Sequence, residues 1–593
     1  MVKKEQDSSK AKGQKLSMKE AFELLKPASV IKTGVEKKEP ITFRDWVWNY
    51  PKNILTFFSK TAPLSFILLF ILFGVAMFSI LRSDAFADVF NTKKTSVFVE
   101  GSVGAVSSFN PLFISQSTVD SDIHALVFEK FIDISKEGLP VGNIAESWNV
   151  SSNGKIYEFT ISLKHKWQDG EDLTLDDVIF TFETAKTLSK SHGYDTVGSA
   201  LLDVEIEKLS KEKIRFVLPE SNGTFFEVVS TYIVPKHILG EVPINDIPFN
   251  SFARYPIGSG PYMVTRSEPN VVYLKASDYY TVKPKIDTII YRLYSDDSGL
   301  EAAFRNGVLD GIGGVNIDAM SFVSEYPNYV EHEVTLYPRI RMIFFNTRKE
   351  KLENKDIRIG LSHLVDKEEL LRRAKISGLV AYSPVSPTSW AYNSDVVKYE
   401  YDVAKASEHF KKIGFVKNEN SGYFESEDRK ILSFTLSYFN NDFNSKLAEE
   451  FKELLREQGV VINLEPLTYT QLTQEIVATR DFELLMYEFA TTIDPDQYNM
   501  WHSLKSNYPD LNLSGYGYER VDILLEEARR SIDQKSRKEK YILFQKYLTQ
   551  DVPALFLYHP NYRYVVREGI DIGDISDILY PYQRFEDVAY WDK

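Results

Sequence analysis

The stretch AESWNVSSNGKIYEFTISLKHKWQDGEDLTLDDV, residues 145–178, carries the pattern that is most informative about the fold. Within it, Lys155 to Lys164 alternates between apolar and polar side chains, which predicts a half-buried strand. Asp169-Gly170 predicts a turn after that strand, because these residue types favour turns. Asp176-Asp177 predicts the start of a helix, where carboxylates cap the backbone and complement the helix dipole. The stretch therefore predicts a strand, a turn and a helix in succession.

A second informative pattern lies further along the chain. Leu432 to Tyr438 predicts a strand, and apolar residues then recur at helical spacing from Leu447 to Leu455. Gly459 predicts the end of that helix, and Val460 to Leu464 predicts another strand. A strand, a helix and a strand in this order imply parallel pairing, so we expect an α/β fold.

The sequence lacks the short motifs that carry most enzyme chemistry. The nine histidines include no pair at i, i+4 spacing, and the chain contains no cysteine, no phosphate-binding Gly-rich loop and no Gly-x-Ser-x-Gly elbow. Asp494-Pro495-Asp496 offers two carboxylates, but a calcium loop needs more oxygen ligands, so we interpret it as a turn. We therefore predict no catalytic residue, no metal and no cofactor, and a binding protein rather than an enzyme.

One uncharged apolar run, Ala62 to Leu81, is long enough to cross a bilayer as a helix. Residues 1–61 carry 13 Lys and Arg against 7 Asp and Glu, whereas the whole chain has a net charge of −14. A basic tail before the span predicts a cytoplasmic, partly disordered N-terminus and a large body outside the cell or in the periplasm. Cleavage after Ala85-Phe86-Ala87, as in a signal peptide, is the alternative to a retained signal anchor. The acidic body has no basic stripe, which argues against nucleic-acid binding.

A series of short segments, each weak alone, occurs in a characteristic order and spacing. They are Ser108-Phe109-Asn110-Pro111-Leu112, Val127-Phe128-Glu129, Gly138-Leu139-Pro140, Ala145-Glu146-Ser147-Trp148, Trp167-Gln168-Asp169-Gly170, Pro256-Ile257-Gly258-Ser259-Gly260-Pro261-Tyr262, Asp278-Tyr279-Tyr280, Phe345-Asn346-Thr347, Asp356-Ile357-Arg358, Asp366-Lys367-Glu368, Trp390-Ala391-Tyr392, Asp494-Pro495-Asp496 and Pro553 to His559. Together they resemble the extracellular solute-binding proteins of family 5, the oligopeptide-, dipeptide- and nickel-binding receptors of ABC importers.

The resemblance implies an α/β, two-lobed periplasmic-binding-protein-like fold with an extra subdomain on lobe one, here preceded by a single transmembrane helix. It implies lobe one at residues 95–340, lobe two at 341–555 and a C-terminal return to lobe one at 556–593. Such lobes close around a ligand and bury it. For the turn at Gly258 and Gly260 we expect either a positive φ or a neighbour too close for a side chain.

The resemblance also implies where a ligand would lie. In the family's peptide receptors, extended backbone from both lobes pairs with the peptide as an added strand. The corresponding residues are Gly104, Ala105, Val106 and Ser107 in lobe one, and Tyr487, Glu488, Phe489, Ala490 and Thr491 in lobe two. Thr491 stands where many peptide receptors have an Asp for the ligand's α-ammonium, and Glu488 is the nearest carboxylate. Either the protein binds peptides without anchoring a free amino terminus, or its solute is not a peptide.

These observations predict a membrane-anchored extracellular receptor that captures oligopeptides or related solutes and delivers them to the permease subunits of an ABC transporter. We expect a monomer held at the cell membrane by one helix. Two alternatives remain open: a sensory or structural ectodomain with the same fold and no transport role, and a cell-envelope hydrolase.

Overall fold

The computed structural model describes residues 96–114, 117–192, 196–314 and 328–593. The tail at 1–61, the apolar run at 62–81 and the cleavage-like sequence Ala85-Phe86-Ala87 lie outside these residues. Within the part of the chain that is described, no helix is both long and apolar enough to span a membrane.

The strands and α-helices of the described residues are numbered in chain order. The strands are β1 Val97–Val103, β2 Ile132–Ile134, β3 Pro140–Gly142, β4 Ala145–Val150, β5 Ile156–Ile161, β6 Glu205–Lys208, β7 Lys213–Val217, β8 Tyr262–Glu268, β9 Val271–Ala276, β10 Thr288–Tyr294, β11 Gly311–Gly313, β12 Tyr329–Thr335, β13 Arg339–Phe345, β14 Gly378–Val380, β15 Val416–Lys417, β16 Phe424–Glu425, β17 Ser433–Phe439, β18 Val461–Leu467, β19 Leu484–Ala490 and β20 Ala554–Arg567. The helices are α1 Thr118–Val127, α2 Leu175–His192, α3 Phe225–Val229, α4 Lys236–Leu239, α5 Asp297–Arg305, α6 Glu350–Glu353, α7 Lys355–His363, α8 Lys367–Ala374, α9 Val403–Lys412, α10 Asp442–Gln458, α11 Tyr469–Gln471, α12 Tyr498–Trp501, α13 Glu519–Arg530 and α14 Gln534–Asp551.

The predicted elements are present. The strand expected at Lys155–Lys164 is β5, and Asp176-Asp177 lies in the first turn of α2. The expected strand–helix–strand unit is β17, α10 and β18, and β17 and β18 pair in parallel as predicted. Helix α10 ends before Gly459, which adopts the left-handed conformation. Local periodicity therefore predicted these elements correctly.

The strand β20 joins two halves of one large sheet, whose order is β18-β17-β19-β13-β20-β11-β1-β10-β9-β8. Its first part, through Tyr558, pairs with β13, and its last part, from Asn561, pairs with β12. The chain also crosses between the halves at residues 336–339, between β12 and β13. The fold is therefore α/β and two-lobed, with two crossing segments.

Buried apolar residues fall into separate groups that follow this division. One set comes from residues 98–336 and 562–591, and another from residues 340–558. This packing supports the proposed lobe one and lobe two, with a small change in the boundaries. Ile340 and residues 556–558 pack in the core of the second lobe. We therefore propose that lobe two extends from Ile340 to Tyr558.

Lobe one carries a subdomain, residues 131–233, with a four-stranded antiparallel sheet of order β4-β5-β7-β6. Its core is rich in aromatic rings. Phe131 and Phe159 meet edge to face at 5.1 Å between ring centroids, and Phe159 and Phe216 meet at 5.8 Å. Trp167 is fully buried in the same core. Aromatic packing of this kind stabilises a small domain beyond the area that it buries.

Gln168 joins the subdomain to lobe one, and it connects two of the family-like motifs. Its side-chain nitrogen donates to the carbonyl oxygens of Val127, Gly260 and Tyr262, at 3.1, 3.1 and 2.8 Å. Its side-chain oxygen accepts from the Gly258 N–H at 2.9 Å. A Cβ atom at Gly258 would lie 1.9 Å from the Val127 oxygen. The glycines are therefore required because a neighbouring backbone lies too close for a side chain. This is one of the two reasons expected from the sequence, the other being a positive φ.

Candidate functional site

A cavity of about 580 Å³ lies where the two halves of the large sheet meet. Residues of both lobes and of both crossing segments line it. They are Asp297, Gly314, Arg339, Arg341, Ile376, Ser377, Phe439, Asn441, Phe443, Asn444, Tyr469, Leu472, Met486, Tyr487, Glu488, Pro560 and Asn561. We call this the main cavity. A site formed between lobes in this way can be opened and closed by a hinge motion.

One edge of β19 faces the main cavity without a strand beside it. β19 pairs along its whole length with β13, but it pairs with β17 only through residues 484–486. No strand of the described residues pairs with the other edge of Tyr487 to Ala490, and Tyr487 and Glu488 line the cavity. A free strand edge presents backbone donors and acceptors that an extended ligand can pair with.

Two arginines and one glutamate set the charge of the cavity wall. Glu488 accepts from Arg341 at 3.0 Å and from Arg339 at 3.4 Å. Arg341 also donates to the side-chain oxygen of Asn444 at 3.1 Å, and its side chain is 11% exposed. Two guanidinium groups against one carboxylate leave one positive charge in this group. Across the cavity, burial raises the pKa of Asp297, with Asp296 and Asp442 acting in the same direction.

Aromatic rings form the apolar part of the main cavity. The Arg341 guanidinium lies 5.7 Å from the centre of the Phe443 ring. Phe439 and Tyr469 meet edge to face at 6.2 Å, and Tyr469 is 65% exposed. Exposed aromatic faces beside buried polar groups are typical of small-molecule and peptide sites, because they pack against apolar parts of a ligand.

A smaller cavity of about 200 Å³ continues from the main one, sharing Gly314, Arg339, Glu488, Pro560 and Asn561 with it. Its lining includes Asp122 and Arg584, which belong to a buried charge cluster with Glu100. Arg584 donates to Asp122 and to Glu100, each at 2.9 Å. Burial raises the pKa of Glu100 to about 7, against the opposing effect of Arg584. The cluster ties the C-terminal segment to β1 and α1, because removing one member would leave a buried charge unpaired.

The predicted lobe-one segment lies just outside both cavities. Gly104 has a φ of +129° and donates its N–H to the Tyr294 oxygen at 2.9 Å. Ser107 donates its N–H to Asp120 at 3.0 Å. Ala105 and Val106 lie between them, and none of the four residues lines either cavity. The two preceding residues, Ser102 and Val103, line the smaller cavity instead.

The predicted lobe-two segment is divided by the structure. Tyr487 and Glu488 line the main cavity, whereas Phe489 packs in the lobe-two core against Phe344 at 5.6 Å. Ala490 is exposed. The Thr491 hydroxyl donates to the Pro338 oxygen at 3.0 Å, so it is bound to the crossing segment. Strand alternation places Tyr487 and Phe489 on one face, where their rings lie 5.2 Å apart, and Glu488 on the other.

Several cavity residues were not predicted from the sequence. Asn441 follows β17 and caps α10, and Asn444 lies in the first turn of that helix. The strand–helix unit at 432–464 could have indicated them, because ligands bind beyond the carboxyl ends of parallel strands. Arg339 and Arg341 have no such signal, since their role depends on Glu488 in a strand distant in sequence.

Asp494-Pro495-Asp496 is held by arginines. The Asp494 carboxylate accepts two hydrogen bonds from Arg537, at 2.6 and 2.7 Å. Asp496 accepts from Arg529 at 2.8 Å. Among the residues that the structure describes, no group of three His, Asp or Glu side chains is placed to hold a metal ion.

Comparison with known proteins gives a consistent result. The family model described as bacterial extracellular solute-binding proteins, family 5 Middle, matches residues 140–510. The oligopeptide-binding protein AppA of Bacillus subtilis (strain 168) is 29% identical over 485 residues, covering 80% of this chain and 88% of AppA. The structure of AppA in complex with a nonapeptide matches with a TM-score of 0.68 and 27% identity, covering 84% of this chain and 98% of that one.

A second solved structure has the same fold at lower identity. NikZ from Campylobacter jejuni, in complex with Ni(L-His), matches with a TM-score of 0.70 and 24% identity. The match covers 84% of this chain and all of NikZ.

Proposed function

Because the chain belongs to the bacterial extracellular solute-binding proteins of family 5, we propose that it captures oligopeptides or related solutes between its lobes and delivers them to an ABC transporter. The resemblance inferred from its motifs is confirmed by the family match. Proteins of this family bind solutes and are not enzymes, so a cell-envelope hydrolase is not supported. AppA, the relative described above, is an oligopeptide-binding protein.

The observation that carries the proposal is the free edge of β19 in the main cavity. Tyr487 to Ala490 offer backbone groups to an extended peptide, as an added strand would require. Pairing through the backbone is tolerant of the peptide's sequence, and the aromatic wall at Phe439, Phe443 and Tyr469 supplies apolar contact. A solute held in this way is recognised by its shape and backbone more than by its side chains.

Glu488 and Thr491, the two residues considered for the amino-terminal anchor, favour binding that does not depend on a free amino terminus. Glu488 is already shared by Arg339 and Arg341, and the Thr491 hydroxyl is bound to Pro338. Neither residue is therefore placed to pair with a ligand's ammonium group. We expect a free and an N-acetylated form of the same peptide to bind within about threefold of each other. A much weaker acetylated form would contradict this part of the proposal.

The binding test uses the full-length protein in detergent micelles. Native mass spectrometry identifies any solute that copurifies, and calorimetric titration with peptides of defined length measures affinity. Tyr469→Ala removes an exposed ring of the main cavity and should weaken peptide binding about tenfold. Tyr255→Ala is the matched control, because Tyr255 is 53% exposed and lies outside both cavities. Equal effects of the two substitutions, or no binding of any peptide, would refute the proposed site.

The membrane anchor is a separate part of the proposal. We propose that Ala62 to Leu81 holds the receptor at the cell membrane as one span, with the large body outside the cell or in the periplasm. An anchored receptor raises the effective concentration of captured solute near its permease. Resistance of the protein to alkaline extraction, together with an intact N-terminus, would support this. A mature N-terminus just after Ala87 would instead indicate a cleaved signal peptide.

Transport is tested in cells. Loss of labelled-peptide uptake on deleting the gene, and its restoration by a chain lacking residues 1–40, would support an importer receptor. Uptake that is unchanged when the gene is deleted would favour a sensory or structural ectodomain. We expect the receptor to act as a monomer.

A further inference from the structure

The subdomain of lobe one contacts lobe two at a place outside both cavities. Residues 220–227 of the subdomain meet residues 494–496 and 529–537 of lobe two. The sequence motif Asp494-Pro495-Asp496 forms part of this contact, and the proposed capture of a solute does not use it. We refer to this contact as the lobe seam.

Glu227 and Asp494 form the centre of the lobe seam. The Asp494 N–H donates to the Glu227 carboxylate at 3.0 Å, and these two residues belong to different lobes. Arg537 holds the Asp494 carboxylate with two hydrogen bonds and also donates to the Gly223 oxygen at 3.2 Å. A Glu227 side-chain oxygen can accept this bond whether the carboxyl group is ionised or protonated, so the contact can hold the two lobes together.

Gly223 fits closely against lobe two. Its N–H donates to the Arg529 oxygen at 2.7 Å. A Cβ atom there would lie 2.1 Å from the Ser531 oxygen, and its next nearest neighbours are side-chain atoms of Arg537 at 3.2 Å. All of these neighbours belong to lobe two. A side chain at position 223 would therefore obstruct the contact between lobes, since the three nearest neighbours of its Cβ atom lie in lobe two.

The seam begins directly after the strand edge that faces the main cavity. Thr491 follows β19 and donates its N–H to the Pro338 oxygen at 2.8 Å. The backbone carbonyl oxygen of Thr491 accepts a hydrogen bond from the Tyr580 hydroxyl at 2.8 Å, which adds a contact to the C-terminal segment of lobe one. The segment Thr491–Asp496 thus connects β19 to the seam. Thr491 and Asp494 form hydrogen bonds between the lobes, and Asp496 bonds to Arg529 within the seam.

We propose that Thr491–Asp496, with Glu227 and Gly223, forms a latch that holds the two lobes closed. The latch acts on the closed state, because Glu227 and Asp494 can bond only when the lobes are together. It sets the equilibrium between open and closed lobes from outside the cavity, so it modulates affinity for any solute by the same factor.

The test measures how often the seam closes. The chain has no cysteine, so two introduced cysteines are the only thiols. Glu220 and Arg530 form an exposed ion pair across the seam at 3.2 Å, and Glu220→Cys with Arg530→Cys provides the seam pair. Lys208→Cys with Asp176→Cys provides a control pair, because that ion pair lies within the subdomain. The rate of cross-linking by a short bismaleimide is measured on the full-length protein in detergent without added solute.

Glu227→Ala should slow cross-linking of the seam pair about tenfold or more, because it removes the acceptor of the Asp494 N–H. Glu227→Gln retains an oxygen acceptor and should stay within about threefold of the parent. Gly223→Ala should also slow the seam pair at least about tenfold by steric obstruction. Gly517→Ala is its control, since the added atom makes an ordinary contact of 3.5 Å with Ser503.

The control pair must keep its rate in every variant. An unchanged seam rate in Glu227→Ala and Gly223→Ala would overturn the latch. If cross-linking of the seam pair and of the control pair slows together, the cause is loss of the subdomain fold. That result would also overturn the latch. Because no solute is added, the result is independent of whether the protein binds peptides.

Discussion

Gly260→Val tests whether the junction around Gln168 holds the subdomain on lobe one. The Gly260 N–H donates to the Val127 oxygen at 2.8 Å, and its own oxygen accepts from Gln168 at 3.1 Å. A Cβ atom at Gly260 would lie 2.6 Å from the Val127 carbonyl carbon and 2.8 Å from the Phe128 nitrogen. These neighbours are backbone atoms at the end of α1, so they cannot rotate away as a side chain could.

The cost follows from these distances. Carbon atoms in normal contact are separated by about 3.5 Å or more, so the two backbones must move apart by about 1 Å. That displacement weakens the Gly260–Val127 hydrogen bond and the Gln168–Gly260 hydrogen bond, at up to about 1 kcal/mol each. Overpacking adds about 1–3 kcal/mol. We expect a loss of about 4 kcal/mol, a large part of the stability of a typical domain.

Urea-dependent pulse proteolysis of the full-length protein measures this loss, because it cuts only unfolded chains. Gly260→Val should lower the urea midpoint strongly, whereas Gly517→Val should leave it nearly unchanged. The control position places its Cβ 3.5 Å from the nearest atom, so it adds the same side chain without the close approach. Equal midpoints for the two variants would refute the claim that the glycine is required by the junction.

Three further predictions concern the cavity and the latch. Burial raises the pKa of Glu227 to about 7 in the closed state, and the charge of Asp494 acts in the same direction. The Asp494 N–H, Lys130 and Arg537 lower this pKa, and Tyr580 is a further titratable neighbour. In an open state the pKa of Glu227 returns towards its ordinary value of 4.5. Closing therefore takes up a proton, so the ratio of seam-pair to control-pair cross-linking should be highest below pH 4.5 and fall as the pH rises through 7. A flat ratio in the parent, or an equal slope in Glu227→Gln, would contradict this. Thr491→Asp should slow seam cross-linking several-fold while Thr491→Ser does not, because a carboxylate cannot donate to the Pro338 oxygen that accepts from the hydroxyl; equal rates would show that this bond does not contribute. Glu488→Gln should strengthen calorimetric binding of a peptide acid relative to its C-terminal amide several-fold, since Arg339 and Arg341 lose their shared carboxylate; an unchanged ratio would place the ligand's carboxylate elsewhere.

The elements that the sequence predicted are those whose pattern is local. The alternation in β5 and the helical spacing in α10 depend on neighbours within one element, so periodicity alone identifies them. The family motifs were also informative because they build the fold. Gln168, Gly258 and Gly260 are close in space for reasons of packing, and that requirement leaves a recognisable set of residues.

The candidate site was less predictable, because its contacts join residues far apart in the chain. Glu488 could be identified as a nearby carboxylate, but its two arginines lie on β13 and carry no sequence signal. The Thr491 hydroxyl is bound to Pro338, and Thr491 lines neither cavity. Gly104 to Ser107 miss the smaller cavity by one residue, since Val103 already lines it. A displacement of this size in an extended segment is enough to move side chains between faces.

The position of the latch connects these features in one argument. A peptide that pairs with the free edge of Tyr487–Ala490 orders the end of β19, and Thr491 follows directly. Ordering this end lowers the entropic cost of placing Asp494 against Glu227, so binding favours closing. The coupling is reciprocal: closing strengthens binding by the same factor by which binding strengthens closing, so a weaker latch weakens binding. Glu227→Ala should therefore lower the affinity for every peptide equally, whereas Tyr469→Ala should discriminate among peptides by the apolar group that meets the ring.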